Sequence, residues 1–332
     1  MTTIDTSAPG ERAARPNMAQ FLSRYGTFAA FILLVVFNLI ATPNFLSWQT
    51  LNVNLTQVAT IVIVAVGMTL VIATGGIDLS VGSLMAIAGT AAPMIFMGQL
   101  LPIENMGILI ILSFILPVLL VMAFGWFNGM LVTRFSIQPI IATLVLFIAG
   151  RGIAQVATNG NLQVFKNPDF QFIAMGRIAG VPAQVIIMII VAVLAHCLIR
   201  YTVIGRQIIA VGGNEKAARL TGIPVRRVKT FVYVISGALA GVAGLIVVAR
   251  NSASDANLVG LGMELDAIAA VAVGGSLLTG GRANIIGTVL GAFVIQLVRY
   301  TLLANGVPDA AALIVKAGLI VIAVFIQQRA KG

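Results

Sequence analysis

The chain has 332 residues, of which 59% are apolar and 9% are charged, and its mean hydropathy is +1.06. Soluble domains carry about 25% charged residues, so this composition excludes a water-soluble protein and predicts an all-α polytopic membrane protein. The net charge is +10, but the basic residues lie in short connections between apolar runs, so the charge does not indicate a nucleic-acid partner. The single cysteine, Cys197, excludes an internal disulfide framework.

The first 20 residues are polar, contain proline and glycine, and lack the apolar core and cleavage site of a secretory signal. We therefore predict a cytoplasmic N-terminal tail over residues 1–25 and a single transmembrane domain over residues 26–332. A helix needs about 20 apolar residues to cross the hydrocarbon, and the sequence predicts about ten such helices, or eight if one or two segments are re-entrant. The predicted spans lie near 26–42, 51–74, 79–98, 105–131, 138–158, 181–199, 230–249, 264–279, 284–303 and 309–327.

Basic residues set the predicted orientation of these spans. With the N-terminus inside, 14 Lys and Arg residues lie in inward connections and only three lie in outward ones. The positive-inside rule therefore predicts that the N- and C-termini are both cytoplasmic. A version with eight spans keeps the same orientation.

A glycine-rich break, GGIDLSVG, separates the second and third apolar runs. A carboxylate inside an apolar chain is costly unless it is paired or faces a polar cavity, so Asp78 marks a functional pathway or caps the third span. A second string, GGSLLTGG at 274–281, shares the pattern GG-x-x-L-[S/T]-x-G with the first. The similarity is either chance in a glycine-rich chain or a possible internal repeat that places two broken helices around a central site.

The longest polar connection covers residues 200–229. Asn214 is predicted to cap a short helix, Glu215 lies at its positive start, and Gly222 followed by Pro224 is predicted to end it. Ala217 and Ala218 would give this helix a small-residue surface that suits a groove on a cytoplasmic partner; the alternative is a loop that is basic only for topology. The chain contains no G-x-x-x-x-G-K-[ST] string, so ATP hydrolysis would require another chain, and this chain is not expected to be an enzyme.

Other ionisable residues fall within or beside the predicted spans. Glu264 and Asp266 open the eighth segment, where they are equally suited to capping that helix or to a transport role. Arg151 and Lys316 lie deep in their spans, so each is expected to pair with an acid, and Asp78, Glu264 and Asp266 are available. His196 has no Cys, His or Asp spacing around it that indicates a metal site.

Four blocks of sequence, in this order, resemble ribose-type ABC sugar permeases, the membrane subunits of carbohydrate importers. The resemblance extends from about Asn44 to the C-terminus. Its blocks are GMTLVIATGGIDLSVGSLMAIAGT (67–90), IQPIIATLVLFIAGRGIAQVATNG (137–160), AVGGNEKAARLTGI (210–223) and ELDAIAAVAVGGSLLTGGR (264–282).

The resemblance implies a multi-pass protein of the bacterial inner membrane, working as a homodimer or heterodimer of permease chains. Its implied partners are cytoplasmic ABC ATPase subunits, which hold ATP and magnesium, and a periplasmic sugar-binding protein; this chain itself would bind no cofactor. By the resemblance, Gly213, Asn214, Glu215 and Ala218 couple to the ATPase, and Asp78 with its neighbours Gly75, Gly76 and Ser80 belongs to the translocation core. The predicted path or gate consists of six residues: Gly75, Gly76, Asp78, Ser80, Glu264 and Asp266.

Within that family the chain looks most like galactofuranose-type permeases, while ribose, arabinose and xylose permeases remain close. Two alternatives stay open. One is a secondary transporter that uses an ion gradient through Asp78, Glu264 or Asp266. The other is an ABC permease for a non-sugar substrate such as branched-chain amino acids.

Overall fold

Helices dominate the part of the chain that the computed structural model describes, which comprises residues 18–308, 310–315, 317, 318 and 321, with side chains from Gly26 onward. The helices are α1 (Met18–Ala41), α2 (Trp48–Ala73), α3 (Val81–Phe96), α4 (Met106–Arg134), α5 (Pro139–Ala157), α6 (Pro168–Met175), α7 (Ala183–Tyr201), α8 (Val203–Gly213), α9 (Glu215–Leu220), α10 (Val225–Asn251), α11 (Met263–Val273) and α12 (Ile285–Ala304). Two antiparallel pairs of two-residue strands join β1 (Gln163–Val164) to β4 (Ala253–Ser254) and β2 (Arg177–Ile178) to β3 (Val181–Pro182).

Nine of the ten predicted spans each coincide with a helix, but the helices differ in length. Six of them are long and apolar enough to cross a membrane, namely α2, α4, α5, α7, α10 and α12. Helices α3 and α11 have 16 and 11 residues, or about 24 and 17 Å, which is less than the roughly 30 Å hydrocarbon core. The predicted eighth span, 264–279, is thus helical only as far as Val273, and the total number of spans stays a prediction.

Both ends of the chain lie partly outside the described residues. Helix α1 already begins at Met18, eight residues before the predicted first span, and residues 1–17 of the predicted tail are outside the description. The tenth predicted span is helical at 310–315, 317, 318 and 321, whereas Lys316 lies outside the described residues.

Helix α2 lies at the centre of the bundle. Its residues from Val58 to Ala73 are all buried, and it packs against α7, α10, α11 and α12, while α10 also packs against α3 and α4. Small residues allow the closest approaches: a Cβ atom on Gly237 would lie 2.6 Å from the carbonyl oxygen of Val121 in α4. The GxxxG spacings at 237/241 and 287/291 indicate such close packing, and in the structure they face α4 and α11.

The bundle has two ends, which we call the α9 end and the far end. Short helices α8 and α9 lie between α7 and α10 at the α9 end, and Asn251, the last residue of α10, lies at the far end. The chain returns from the far end through a non-helical segment, residues 252–262, before α11 begins. We call this stretch the descending segment.

The descending segment runs deep into the bundle. Its residue Gly260 packs against Gly82 and Met85 of α3, and Met85 in turn contacts Gly244 of α10. Gly244 lies seven residues before the end of α10, which corresponds to about 10 Å along the helix axis. The chain therefore returns into the bundle first as a non-helical segment, residues 252–262, and then as the short helix α11.

Candidate functional site

Helix α9 is the short capped helix that the polar connection predicts. Asn214 accepts a hydrogen bond from the backbone N–H of Ala217 through its side-chain oxygen at 3.0 Å, which confirms the predicted N-cap. After the helix, Gly222 has a φ of +83°, and the N–H of Ile223 bonds back to the carbonyl of Ala218 at 3.1 Å. This glycine-ended turn confirms the predicted stop and leads directly into α10.

Glu215 fixes α9 to the start of α10. Its carboxylate pairs with Arg219 one turn later at 3.1 Å and with Lys229 of α10 at 2.6 Å. The hydrogen bond from Lys229 is the main cause that lowers the pKa of Glu215, so the carboxylate is ionised at neutral pH. Helix α9 is therefore connected to α10 by a charged contact as well as through the chain.

The two faces of α9 differ in a way that the sequence does not reveal. Ala218 is only 4% exposed and belongs to an apolar cluster with Leu70 and Val71 of α2 and Val225 of α10. It therefore seats α9 on the bundle, and the predicted small-residue surface reduces to Ala217. Leu220, by contrast, is 90% exposed. Sequence reasoning missed Leu220 because it is an ordinary last residue of a short helix.

Three glycine-rich stretches meet where α8 joins α9. A Cβ atom on Gly212 would lie 1.8 Å from the carbonyl oxygen of Ala73 and 2.5 Å from the backbone nitrogen of Gly281. Gly281 itself donates a backbone hydrogen bond to Ala73 at 3.0 Å, and a Cβ on Gly280 would lie 2.8 Å from the nitrogen of Gly75. We call the contact of residues 73–75, 212–213 and 280–281 the glycine junction.

The two similar glycine strings thus share one location. Both follow the end of a helix with the same turn, because the N–H of Gly76 bonds to Val71 and that of Ser276 bonds to Val271, each at 3.2 Å. In the structure Gly76 therefore corresponds to Ser276, whereas the shared sequence pattern aligns Gly76 with Gly275, one residue earlier. The predicted repeat stays a prediction, but its two strings touch each other at the glycine junction.

Asp78 lies just beyond this junction and is fully buried. One carboxylate oxygen accepts hydrogen bonds from the backbone N–H and the hydroxyl of Ser80, at 3.0 and 2.6 Å, and the other accepts from the hydroxyl of Ser236 in α10 at 2.8 Å. No basic side chain among the described residues forms an ion pair with Asp78. The carboxylate therefore turns the chain into α3 and ties the break to α10.

Two further polar side chains hold the break and were missed from the sequence. Asn128 of α4 donates to the hydroxyl of Ser80 at 2.9 Å. Thr143 of α5 accepts a hydrogen bond from the backbone N–H of Leu79 at 3.1 Å and donates to the carbonyl of Ile77 at 3.3 Å. Isolated Asn and Thr residues inside apolar runs are the available signal, since such residues commonly form hydrogen bonds between membrane helices.

Replacing Asp78 by Asn separates the charge of this side chain from its shape. Asparagine retains an oxygen for Ser80, and the Ser236 hydroxyl can rotate to accept from the new amide, so we expect normal assembly. Neutral bonds are weaker than charge-assisted ones by about 1 kcal/mol each, and sugar uptake is expected to fall about five- to tenfold. Uptake and the amount of assembled complex are measured side by side. Unchanged uptake would mean that Asp78 has a purely structural role.

Glu264 and Asp266 open α11 as predicted and are both buried. Glu264 lies beside Gly82 in the first turn of α3, so the N-termini of α3 and α11 meet there, and a carboxylate at this point compensates two positive helix ends. Asp78, in contrast, contacts α10 rather than these acids. Four of the six predicted path residues therefore lie in the break and two open α11, and Glu264 adjoins Gly82, the last residue of the break.

Arg151 forms its hydrogen bonds with backbone carbonyls, so the expectation that it pairs with an acid is wrong. Its Nη1 atom donates to the carbonyl oxygens of Ala256, Asn257 and Val259, at 2.9, 3.3 and 2.6 Å. Glu264 and Asp255 lie close enough to attract the guanidinium electrostatically, but its hydrogen-bond partners are the backbone of the descending segment. Backbone groups at membrane depth must be satisfied within the protein or by water, and Arg151 performs this task here.

Metal binding has no candidate site in the described part of the chain, where no three His, Cys, Asp or Glu side chains come together. The residues of the site instead join a projecting helix to two helix breaks.

Comparison with known proteins identifies the family. A family model described as "Branched-chain amino acid transport system / permease component" matches residues 51–324. The chain is 40% identical to the galactofuranose transporter permease protein of Escherichia coli (strain K12), over 98% of this chain and 94% of that protein. It is 41% identical to the ribose import permease protein of the same strain (90% and 92% covered) and 39% identical to a fructose import permease protein of Bifidobacterium longum (strain NCC 2705; 85% and 81% covered).

A search of the solved structures found no match. The family model covers most of the chain, and each of these permeases is similar to it over most of both lengths. The chain therefore belongs to the transport permease family that this model describes.

Proposed function

We propose that the chain is the membrane permease subunit of an ATP-binding-cassette importer and forms the translocation path for a monosaccharide. The observation that carries the proposal is the similarity, over most of the chain, to permeases named for galactofuranose, ribose and fructose. These names favour a sugar over a branched-chain amino acid as the substrate. The ion-coupled secondary transporter is disfavoured for a second reason. Such a carrier needs no ATPase, so it would have no use for a capped helix such as α9 that presents an exposed face to a partner.

The proposal includes partners and a location. The partners are a cytoplasmic ATPase subunit, a periplasmic binding protein that delivers the sugar, and a second permease chain, with the complex in the bacterial inner membrane. The α9 end, residues 200–229 and both termini lie on the cytoplasmic side in this arrangement. Gly213 leads into α9, Asn214 and Glu215 hold the helix in place, and Ala218 seats it, so that its exposed face contacts the ATPase.

Reconstitution tests the proposal directly. Proteoliposomes that contain this chain with the ATPase subunit, supplied with sugar-loaded binding protein, are expected to accumulate labelled sugar only when ATP is present. Galactofuranose, ribose and fructose are compared as the labelled sugar. Uptake driven by an imposed proton or sodium gradient, without the ATPase, would overturn the proposal in favour of a secondary transporter.

Leu220 provides a sharper test of the ATPase contact. Burying a leucine side chain contributes about 1.5–3 kcal/mol, so Leu220→Ser is expected to weaken ATPase association by tenfold or more. Thermal unfolding of the permease is expected to be unchanged, because Leu220 has no contacts to lose. Leu46→Ser is the matched control, since Leu46 is 82% exposed but lies at the far end. Equal association for both variants would exclude Leu220 from the contact.

A further inference from the structure

The descending segment exposes polar groups beside Arg151, which lies six residues, or about 9 Å, before the end of α5. Asn257 is exposed, and its backbone carbonyl accepts an exposed hydrogen bond from the guanidinium of Arg151. Gln155, one turn after Arg151 on α5, donates from its side-chain nitrogen to the side-chain oxygen of Asn257 at 2.7 Å. A guanidinium, two amides and non-helical backbone therefore share one surface within the outer part of the bundle.

A membrane protein tolerates irregular backbone at this depth only where protein covers it or where it lines a water-filled cavity. Residues Leu258 and Leu261 of the same segment are 66% and 67% exposed, so the described chain leaves this surface open. Ionisable groups inside membrane segments likewise face a bundle interior or a water-filled cavity. Both rules exclude lipid as the neighbour of this surface.

We propose that residues 255–262, together with Arg151 and Gln155, line a water-filled part of the sugar path, where the amides of Gln155 and Asn257 bind hydroxyl groups of the passing sugar. This inference rests on the proposed function and adds a binding site to it. Arg151 is the positioning residue, because it holds the carbonyls of the segment and leaves the amide pair free to exchange hydrogen bonds.

The chemistry of the amide pair suits a polyhydroxyl ligand. Each amide offers both a donor and an acceptor, and the side-chain oxygen of Gln155 makes no hydrogen bond to any described residue, so it is available to a sugar hydroxyl. The side chain of Asp255 accepts two bonds from Asn257, at 2.8 and 3.0 Å, which fixes the orientation of that amide. Two neutral amides give a weak contact, and a site that must release its ligand in each cycle requires a weak contact.

Thiol labelling tests whether this surface faces water. In a background with Cys197→Ser, which removes the only cysteine, single cysteines are placed as Leu258→Cys and Leu261→Cys in the assembled transporter. The control is Ile190→Cys on α7, which is 51% exposed and lies seven residues, or about 10 Å, from the same end of the bundle. Each variant is treated with a membrane-impermeant sulfonated maleimide and with a membrane-permeant maleimide.

We expect the impermeant reagent to label both segment cysteines and to leave Ile190→Cys unlabelled. Saturation with sugar-loaded binding protein is expected to slow labelling of the segment severalfold. Labelling of the segment by the permeant reagent alone would place it against lipid, and labelling by neither would mean that a second copy of the chain seals it. Either result would overturn the inference, whether or not the wild type transports sugar.

Transport measurements test the binding role of the amides. Gln155→Ala and Asn257→Ala are each expected to lower the uptake rate by roughly five- to tenfold, the effect of losing one or two hydrogen bonds, with ATPase association unchanged. Asn161→Ala is the matched control, because this exposed amide lies just past α5 and outside the surface. If the wild type transports and all three variants match it, the path assignment fails while the proposed function stands.

Discussion

Gly212→Ala is expected to abolish transport almost completely, whereas Gly213→Ala, one residue later, leaves it intact. A Cβ at position 212 would lie 1.8 Å from the carbonyl oxygen of Ala73, which is a backbone atom that cannot rotate away. At position 213 the same atom meets nothing within 4 Å. Both residues end α8 and belong to the glycine junction, so the pair compares a methyl group that clashes with the facing backbone with one that points away from it.

The physical cost of the clash is large for a single methyl group. Forcing extra volume into packed structure costs about 1–3 kcal/mol where side chains can adjust, and here both facing atoms belong to the backbone. We expect thermal stability to fall by about 3 kcal/mol and uptake to fall below a tenth of the wild-type rate. Gly213→Ala is expected to be neutral or slightly stabilising, because alanine has the higher helix propensity.

Stability by thermal unfolding and uptake in proteoliposomes are measured on the same preparations. A Gly212→Ala protein that folds and transports normally would show that the contact between α8 and α2 is not needed, and the glycine junction would lose its role. A defect of equal size in Gly213→Ala would point to helix flexibility instead of close packing.

The junction explains how an event at α9 reaches the buried break. Helix α9 follows α8 directly, and Gly212 near the end of α8 touches Ala73 at the end of α2. Five residues beyond Ala73, Asp78 bonds to α10 through Ser236, and α10 is tied to α9 through Lys229 and Glu215. Two sets of contacts therefore connect α9 to the break, and under the proposed function a docked partner would act on the break through both.

Much of this arrangement is predictable from local sequence. The apolar runs place nine helices, and Asn214 and Gly222 mark the two ends of α9, because capping and glycine turns depend on residues within one or two helical turns. Likewise, Asp78 in its glycine-rich string marks a break without any knowledge of the fold. Each of these features is determined by interactions of short range along the chain.

The missed features depend on residues that are distant in sequence. Ala73, Gly212 and Gly281 form one contact although about 70 to 140 residues separate consecutive members, and nothing in the strings GGNEK or GGSLLTGG predicts that they meet. The predicted eighth span runs past Val273 because apolar residues such as Leu277 and Leu278 continue beyond the helix, which ends in the turn at Gly274 and Gly275. The partners of Arg151 were missed because backbone carbonyls, which every residue carries, leave no trace in the sequence.

Arg151→Leu is expected to lower both stability and sugar uptake. The size of the stability loss shows whether the descending segment faces lipid or water. The substitution removes donors from three carbonyls at once. If those carbonyls faced lipid, each would cost several kcal/mol and the protein would not assemble. If they line a water-filled path, water replaces the guanidinium, and the net loss is about 1–3 kcal/mol. We therefore expect an assembled protein of lowered stability that has lost most of its uptake.

Arg151→Lys and Arg177→Leu complete this test. Lysine keeps the charge but has a shorter reach and no planar fork, so partial recovery of uptake is expected. Arg177 is also near the far end, but among the described residues its side chain bonds only to Gly180 in its own turn, and its removal is expected to leave stability and uptake unchanged. Wild-type uptake in Arg151→Leu would show that the conformation of the descending segment does not depend on the arginine. Complete failure of Arg151→Leu to assemble, with normal Arg177→Leu, would argue for lipid-like surroundings and against a water-filled path at this surface.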